Sequence, residues 1–138
     1  MNAVRRIWLT GASSGIGHGL ARQLLAEGHR LALSARSAEP LHALARQYPE
    51  QVLVLPGDLT DAAQVRAIAT EIDARWGALD TLILNAGTCE YIDARHFQAE
   101  LLERVLRTNL IAPGYCIEAA LPLLRRGERP LLVGVGSS

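Results

Sequence analysis

Thr10-Gly11-Ala12-Ser13-Ser14-Gly15-Ile16-Gly17 is the stretch on which the fold of this chain turns. An apolar run, Ile7-Trp8-Leu9, precedes it and reads as a strand. Leu20, Leu24 and Leu25 follow it at helical spacing. A glycine-rich turn between a strand and a helix is how an α/β sheet holds a dinucleotide. Backbone N–H groups at the helix start point at the pyrophosphate, and the helix dipole favours its charge. Gly11 permits the tight turn, Gly15 lets the backbone approach the phosphates, and Gly17 lets helix and strand pack closely. Ser13, Ser14 and Ile16 complete the turn. The spacing is Gly-x-x-x-Gly-x-Gly rather than the common Gly-x-Gly-x-x-Gly. Read alone, the stretch also fits a structural Gly/Ser loop; the strand before it and the helix after it favour a nucleotide site.

Outward from this turn, strand and helix signals alternate. Strands are expected over 4–10, 30–35, 51–55, 80–84 and 131–135. Helices are expected over 15–27, 39–47 and 61–76, with Thr60 as the N-cap of the third. A long fourth helix is expected from about 95 to 126, ended by Gly127. Five short, nearly continuous apolar strands separated by helices mean a parallel sheet covered on both faces. Right-handed crossovers make it a doubly wound, three-layer α/β/α fold with strand order 3-2-1-4-5. Ligands of such sheets sit at the carboxyl ends of the strands, near the switch between strands one and four. One domain is expected over 1–138, without internal boundary or low-complexity segment.

The chain has 138 residues, 49% of them hydrophobic and 4% aromatic, with a formal net charge of zero. That balance argues against a nucleic-acid or strongly acidic partner. Cys89 and Cys116 lie in apolar settings without metal-ligand spacing and read as reduced core thiols of an intracellular protein. The N-terminus runs straight into a strand, with no signal peptide, and no apolar stretch reaches membrane-spanning length. A soluble cytoplasmic protein with no metal site is expected. All 14 basic side chains are arginine; there is no lysine.

The residues that carry chemistry fall at strand ends. Asp58, followed by Leu59 and Thr60, ends strand three, where a carboxylate can accept from an adenine amino group or cap a turn. Asn85-Ala86-Gly87 ends strand four. Its two small residues let a cofactor lie against the backbone, and Asn85 can tie neighbouring strand ends together. Arg36 follows strand two, where sites preferring NAD place an acid on the ribose 2′-hydroxyl. A guanidinium suits a 2′-phosphate instead, so NADP(H) is the preferred cofactor, with NAD(H) possible. Leu102, Val105, Leu106 and Leu110 form an apolar stripe at helical spacing, and Asn109 intrudes on it. Pro113 has no N–H to give the carbonyl of Asn109, which kinks the helix and leaves a polar spot able to hold a water. Ser137 and Ser138 end strand five, where a hydroxyl can donate to a substrate carbonyl oxygen.

Together these residues resemble the short-chain dehydrogenase/reductase family, from strand one to strand five. The turn of 10–17 is similar to the family's Thr-Gly-x-x-x-Gly-x-Gly. Asp58 and Asn85-Ala86-Gly87 are similar to its motifs after strands three and four. The resemblance implies a Rossmann-type sheet, an NAD(P) cofactor, and a small-molecule carbonyl or alcohol as substrate. It implies that Asn109 holds a proton-relay water and that Ser138, rather than Ser137, orients the substrate carbonyl. Because the family's long helix often packs in a dimer face, it implies a homo-oligomer, dimer or tetramer, for the parent protein. The family's acid/base is the tyrosine of a Tyr-x-x-x-Lys motif. Tyr48, Tyr91 and Tyr115 have no lysine partner here, and the part of the fold beyond strand five is missing. The chain therefore resembles the N-terminal portion of such an enzyme and is expected not to reduce ketones at a useful rate by itself. The alternative is a non-catalytic NAD(P)-binding module or regulator.

Overall fold

The computed structural model describes residues 3–85 and 94–135. β1 (Arg6–Thr10), β2 (Arg30–Ser34), β3 (Val52–Val54), β4 (Thr81–Leu84) and β5 (Leu131–Gly134) form one parallel sheet. Its order is β3-β2-β1-β4-β5, as expected. β1, β2 and β4 are largely buried, β3 is half-buried and β5 is mostly exposed; the alternation of the strands sorts the core into two halves. Ile7, Leu9, Leu31, Leu33 and Ile83 point to the side covered by α1 (Gly15–Ala26) and α2 (Glu39–Gln47). Trp8, Ala32 and Leu82 point to the other, against Val65, Ile68 and Ile72 of α3 (Ala62–Trp76) and against a later helix. Each fully buried leucine or isoleucine contributes about 2 kcal/mol of apolar transfer. Trp8 is completely buried, and its indole N–H donates to Ser34 Oγ at 3.0 Å, so its polar atom is satisfied.

Several expected boundaries move. Each strand is a residue or two shorter than its apolar run. Asp61, not Thr60, caps α3, accepting from Ala63 N at 2.9 Å. Thr60 instead turns back toward Asp58: its N–H and hydroxyl both donate to Asp58 Oδ1, at 2.9 and 2.7 Å. The long fourth helix starts later than expected, at Ala99, and runs unbroken to Arg125 with a change of pitch midway. A short 3₁₀ turn (Ala94–His96) precedes α4 (Ala99–Leu106). A π-helical turn (Arg107–Ile111) then leads into α5 (Ala112–Arg125), which covers the Trp8 side of the sheet. Ala112 N donates to the carbonyl of Arg107, five residues back. The wide turn lies just before Pro113, whose missing N–H deprives the ladder of one donor. In the apolar stripe Leu102, Leu106 and Leu110 are exposed and Val105 is half-buried, and α4 contains no buried residue. Among the described residues nothing covers it. Cys116, on the core face of α5, is buried, and burial pushes its thiol up to about 12. Cys89 lies outside the described residues. No helix among those described is long and apolar enough to cross a membrane.

The amino end of the sheet is held by one carboxylate. Asp80 Oδ2 accepts from Arg6 N at 2.8 Å and from Arg6 Nε at 3.1 Å. Its Oδ1 accepts from Arg6 Nη2 at 3.0 Å and from Glu128 N at 2.8 Å. Asp80 thus joins β1, β4 and the turn before β5. Burial pushes the Asp80 carboxyl up, but the bonds from Arg6 and Glu128 outweigh it and bring the pKa down to about 2. Since this lies below the ordinary value of 3.8, the bonded carboxylate adds about 2 kcal/mol of stability at higher pH. That contribution is complete above the ordinary value and is lost as pH falls through about 2. Urea unfolding followed from neutral to strongly acid pH is expected to show this loss, and Asp80→Asn to remove that part of the profile while lowering stability at neutral pH.

Candidate functional site

The carboxyl ends of β1 to β4 open into a cleft of about 770 Å³. Its floor is the glycine-rich turn. Ser14 is extended (φ −158°, ψ 169°) and hands the chain to α1; no side chain caps this helix and its first turn holds no acid. The orphan N–H groups of such a helix start favour an anion. Gly15 has φ +58°, a conformation that strains other residues, and the space where its Cβ would stand is open. Gly17 is needed for a different reason: a Cβ there would run into the Gly11 carbonyl and the Asn85 amide. Ile16 lines the cleft and is 71% exposed, an apolar side chain at the rim of a polar turn.

Asn85, at the end of β4, makes the tie expected of it. Its N–H donates to Thr10 Oγ1 at 3.0 Å and its Nδ2 donates to the Gly11 carbonyl at 3.2 Å. The ends of β1 and β4 are joined at the switch point of the sheet. Across the cleft, Asp58 and Arg36 follow β3 and β2. The Thr60 hydroxyl and N–H, with Arg36 nearby, hold the Asp58 carboxyl below the usual carboxylate range. Arg36 Nη2 lies 3.8 Å from Asp58 Oδ1, and both side chains are largely open to water, so this pair contributes little to stability and Arg36 can exchange partners. Leu59 is buried beside them.

The cleft therefore brings together Gly11, Ser13, Ser14, Ile16, Arg36, Asp58, Leu59 and Asn85, with Gly15 and Gly17 shaping its floor. Asn109 is not among its lining residues; it sits on the exposed side of the π turn. Ala86, Gly87, Ser137 and Ser138 lie outside the described residues. The second wall, which the motif reading did not anticipate, comes from α4, the π turn and the start of α5 through Arg104, Arg107, Thr108 and Ala112. Arg104, Thr108 and Ala112 recur every fourth residue, a helical-face signal overshadowed by the leucine stripe on the opposite face. Three arginines and one aspartate are the charged groups among the described lining residues, so the cleft favours an anionic ligand. Uncapped helix N–H groups, an open glycine cradle and this charge together fit the phosphates of a dinucleotide.

Comparison with known proteins agrees. The family model described as short chain dehydrogenase matches residues 5–138. A Salmonella typhi protein named NADP-dependent 3-hydroxy acid dehydrogenase is 29% identical over 96% of this chain, and the match spans 54% of its own length. The crystal structure of a short-chain dehydrogenase from Streptomyces avermitilis superposes with a TM-score of 0.91 at 27% identity, covering 98% of this chain and 50% of that one. The NADPH-bound carbonyl reductase from chicken fatty liver superposes with a TM-score of 0.81 at 30% identity, covering 88% of this chain and 49% of that one. The chain spans about half the length of the curated relatives it matches.

Two glycines of α1 make opposite predictions. Gly17→Ala is expected to destabilise the fold by about 2–4 kcal/mol, because backbone and the Asn85 amide must both give way. Gly19→Ala meets open space and is expected to stabilise by about 0.5–1 kcal/mol. Chemical denaturation of both variants checks the pair.

Proposed function

The chain belongs to the short-chain dehydrogenase family, and we propose that it is the cofactor-binding portion of an NADP(H)-dependent oxidoreductase that interconverts a carbonyl and an alcohol. The observation that carries this reading is the uncapped start of α1 opening into a cleft that Arg36 lines. Gly11, Ser13, Ser14, Gly15, Ile16 and Gly17 frame the pyrophosphate. Arg36 takes the 2′-phosphate, exchanging its weak pairing with Asp58 for a charge-assisted bond to a dianion. Asp58 and Leu59 meet the adenine, and Asn85, Ala86 and Gly87 let the nicotinamide half lie against the backbone. The chemistry that the cofactor supplies when bound is hydride transfer. In the parent protein Ser138 orients the substrate carbonyl, and Asn109, carried by a turn that Pro113 has widened, serves the proton relay. The protein works in the cytoplasm as a homo-oligomer on a small-molecule carbonyl or alcohol.

One feature favours a second reading for the 138-residue chain taken alone, as a non-catalytic NAD(P)-binding module. It has no lysine and therefore no Tyr-x-x-x-Lys pair. Titration of NADPH fluorescence, paired with a carbonyl-reduction assay on the same chain, is expected to show binding without turnover above background. Turnover by this chain overturns the assignment of acid/base chemistry to a segment it does not contain. Arg36→Glu is expected to lower the NADPH-to-NADH affinity ratio by about tenfold or more, the scale of a bond to a charged group. An unchanged ratio removes the 2′-phosphate from Arg36.

A further inference from the structure

The glycine-rich turn has no capping side chain, so something else must hold its peptides in place. Three anchors do so. Asn85 Nδ2 holds the Gly11 carbonyl from β4. Ala12 N donates to the Ser34 carbonyl at the end of β2, at 3.3 Å. The third anchor is His18, one turn into α1, whose ring Nδ1 lies 3.3 Å from the Ala12 carbonyl oxygen. A carbonyl oxygen only accepts, so Nδ1 carries the proton in this contact. Ala12 itself is completely buried, and both polar atoms of its backbone are engaged.

The consequence lies in the next N–H. The Ala12–Ser13 peptide is trans and planar, so its C=O and N–H point in opposite directions. Holding the Ala12 oxygen toward His18 aims the Ser13 N–H away from it, on the side where Ser13 lines the cleft and Ala12 does not. Were the peptide to turn over, a carbonyl dipole would face the anion site in place of a donor. We propose that His18 is a positioning residue of the phosphate site: its Nδ1–H fixes the Ala12–Ser13 peptide with the Ser13 N–H presented to a bound phosphate. This rests on the reading of the cleft as a dinucleotide site. It assigns His18 no contact with the reacting atoms and no part in choosing between NADPH and NADH.

The test uses the chain with four ligands: NADPH, NADH, ADP and adenosine, the last having no phosphate. His18→Ala and His18→Leu are expected to weaken NADPH, NADH and ADP by about three- to tenfold, the scale of one lost hydrogen bond, and to leave adenosine unchanged. The NADPH-to-NADH ratio is expected to stay constant. His18→Asn, whose amide donor stands near the place of Nδ1, is expected to restore most of the affinity. Thermal melts without ligand verify that each variant is folded. The inference is overturned if folded His18→Ala binds all ligands as the unaltered chain does, if adenosine weakens in parallel, or if the asparagine variant is no better than the alanine one. If the unaltered chain binds neither dinucleotide, the cofactor reading falls, and the inference falls with it.

Discussion

The structure depends on a contact that leaves no room for a methyl group. Between the start of α1 and the ends of β1 and β4, the space at Gly17 is closed by the Gly11 carbonyl and by the Asn85 amide that donates to it. This seats α1 directly on the sheet at its switch point. It brings the helix start, with its uncapped N–H groups, to the level of the strand ends. From that seat follow the position of the cleft floor, the joining of β1 to β4 through Thr10 and Asn85, and the packing of Ala21 and Leu25 into the core half shared with Ile7, Leu9 and Leu33.

The two ends of the sheet divide the work of the molecule. At the amino ends, Asp80 gathers bonds from Arg6 and Glu128, and Arg5 donates to the carbonyls of Asp80 and Arg129 at 2.7 and 2.9 Å. These are short contacts between elements distant in sequence, most of them centred on the buried Asp80, and they serve stability. At the carboxyl ends the charged groups are open to water: the pairing of Arg36 with Asp58 is long, and the arginines of the opposite wall lie on the rim of α4 and the π turn. An ion pair exposed in this way holds little free energy, so its arginine is available to a more highly charged partner. The same residue type thus ties elements together around the buried Asp80 at one end and lines the cleft, open to water, at the other.

The π turn shows how a single proline redistributes a helix. Pro113 removes one N–H from the ladder, and the chain responds with a bond from Ala112 to a carbonyl five residues back. The wide turn separates α4, whose leucines face outward, from α5, whose Ala120, Leu123 and Leu124 pack under the sheet. It also lets Arg107 and Thr108 line the cleft while Asn109 stands on the exposed side.

The sequence by itself determined the architecture. Its evidence was local and repetitive: short, nearly continuous apolar runs, leucines at helical spacing, and a glycine-rich turn with a strand before it and a helix after it. The order β3-β2-β1-β4-β5 follows from those elements and from the handedness of their crossovers. The motif residues after strands two, three and four were legible for the same reason, since a strand end is a place that the pattern itself marks. What only the tertiary structure decided were competitions between groups for one partner. Thr60 was the expected cap of α3, but its hydroxyl turns back to donate to Asp58, and the cap acceptor is the Asp61 carboxylate. The leucine stripe of α4 and the π turn has a helical periodicity, yet periodicity gives a face and not its partner, and these leucines stay exposed. His18 reads as an ordinary helix residue until the fold places its ring on the Ala12 carbonyl. A sequence records which donors and acceptors exist, but only the folded chain sets the distances that decide which of them meet.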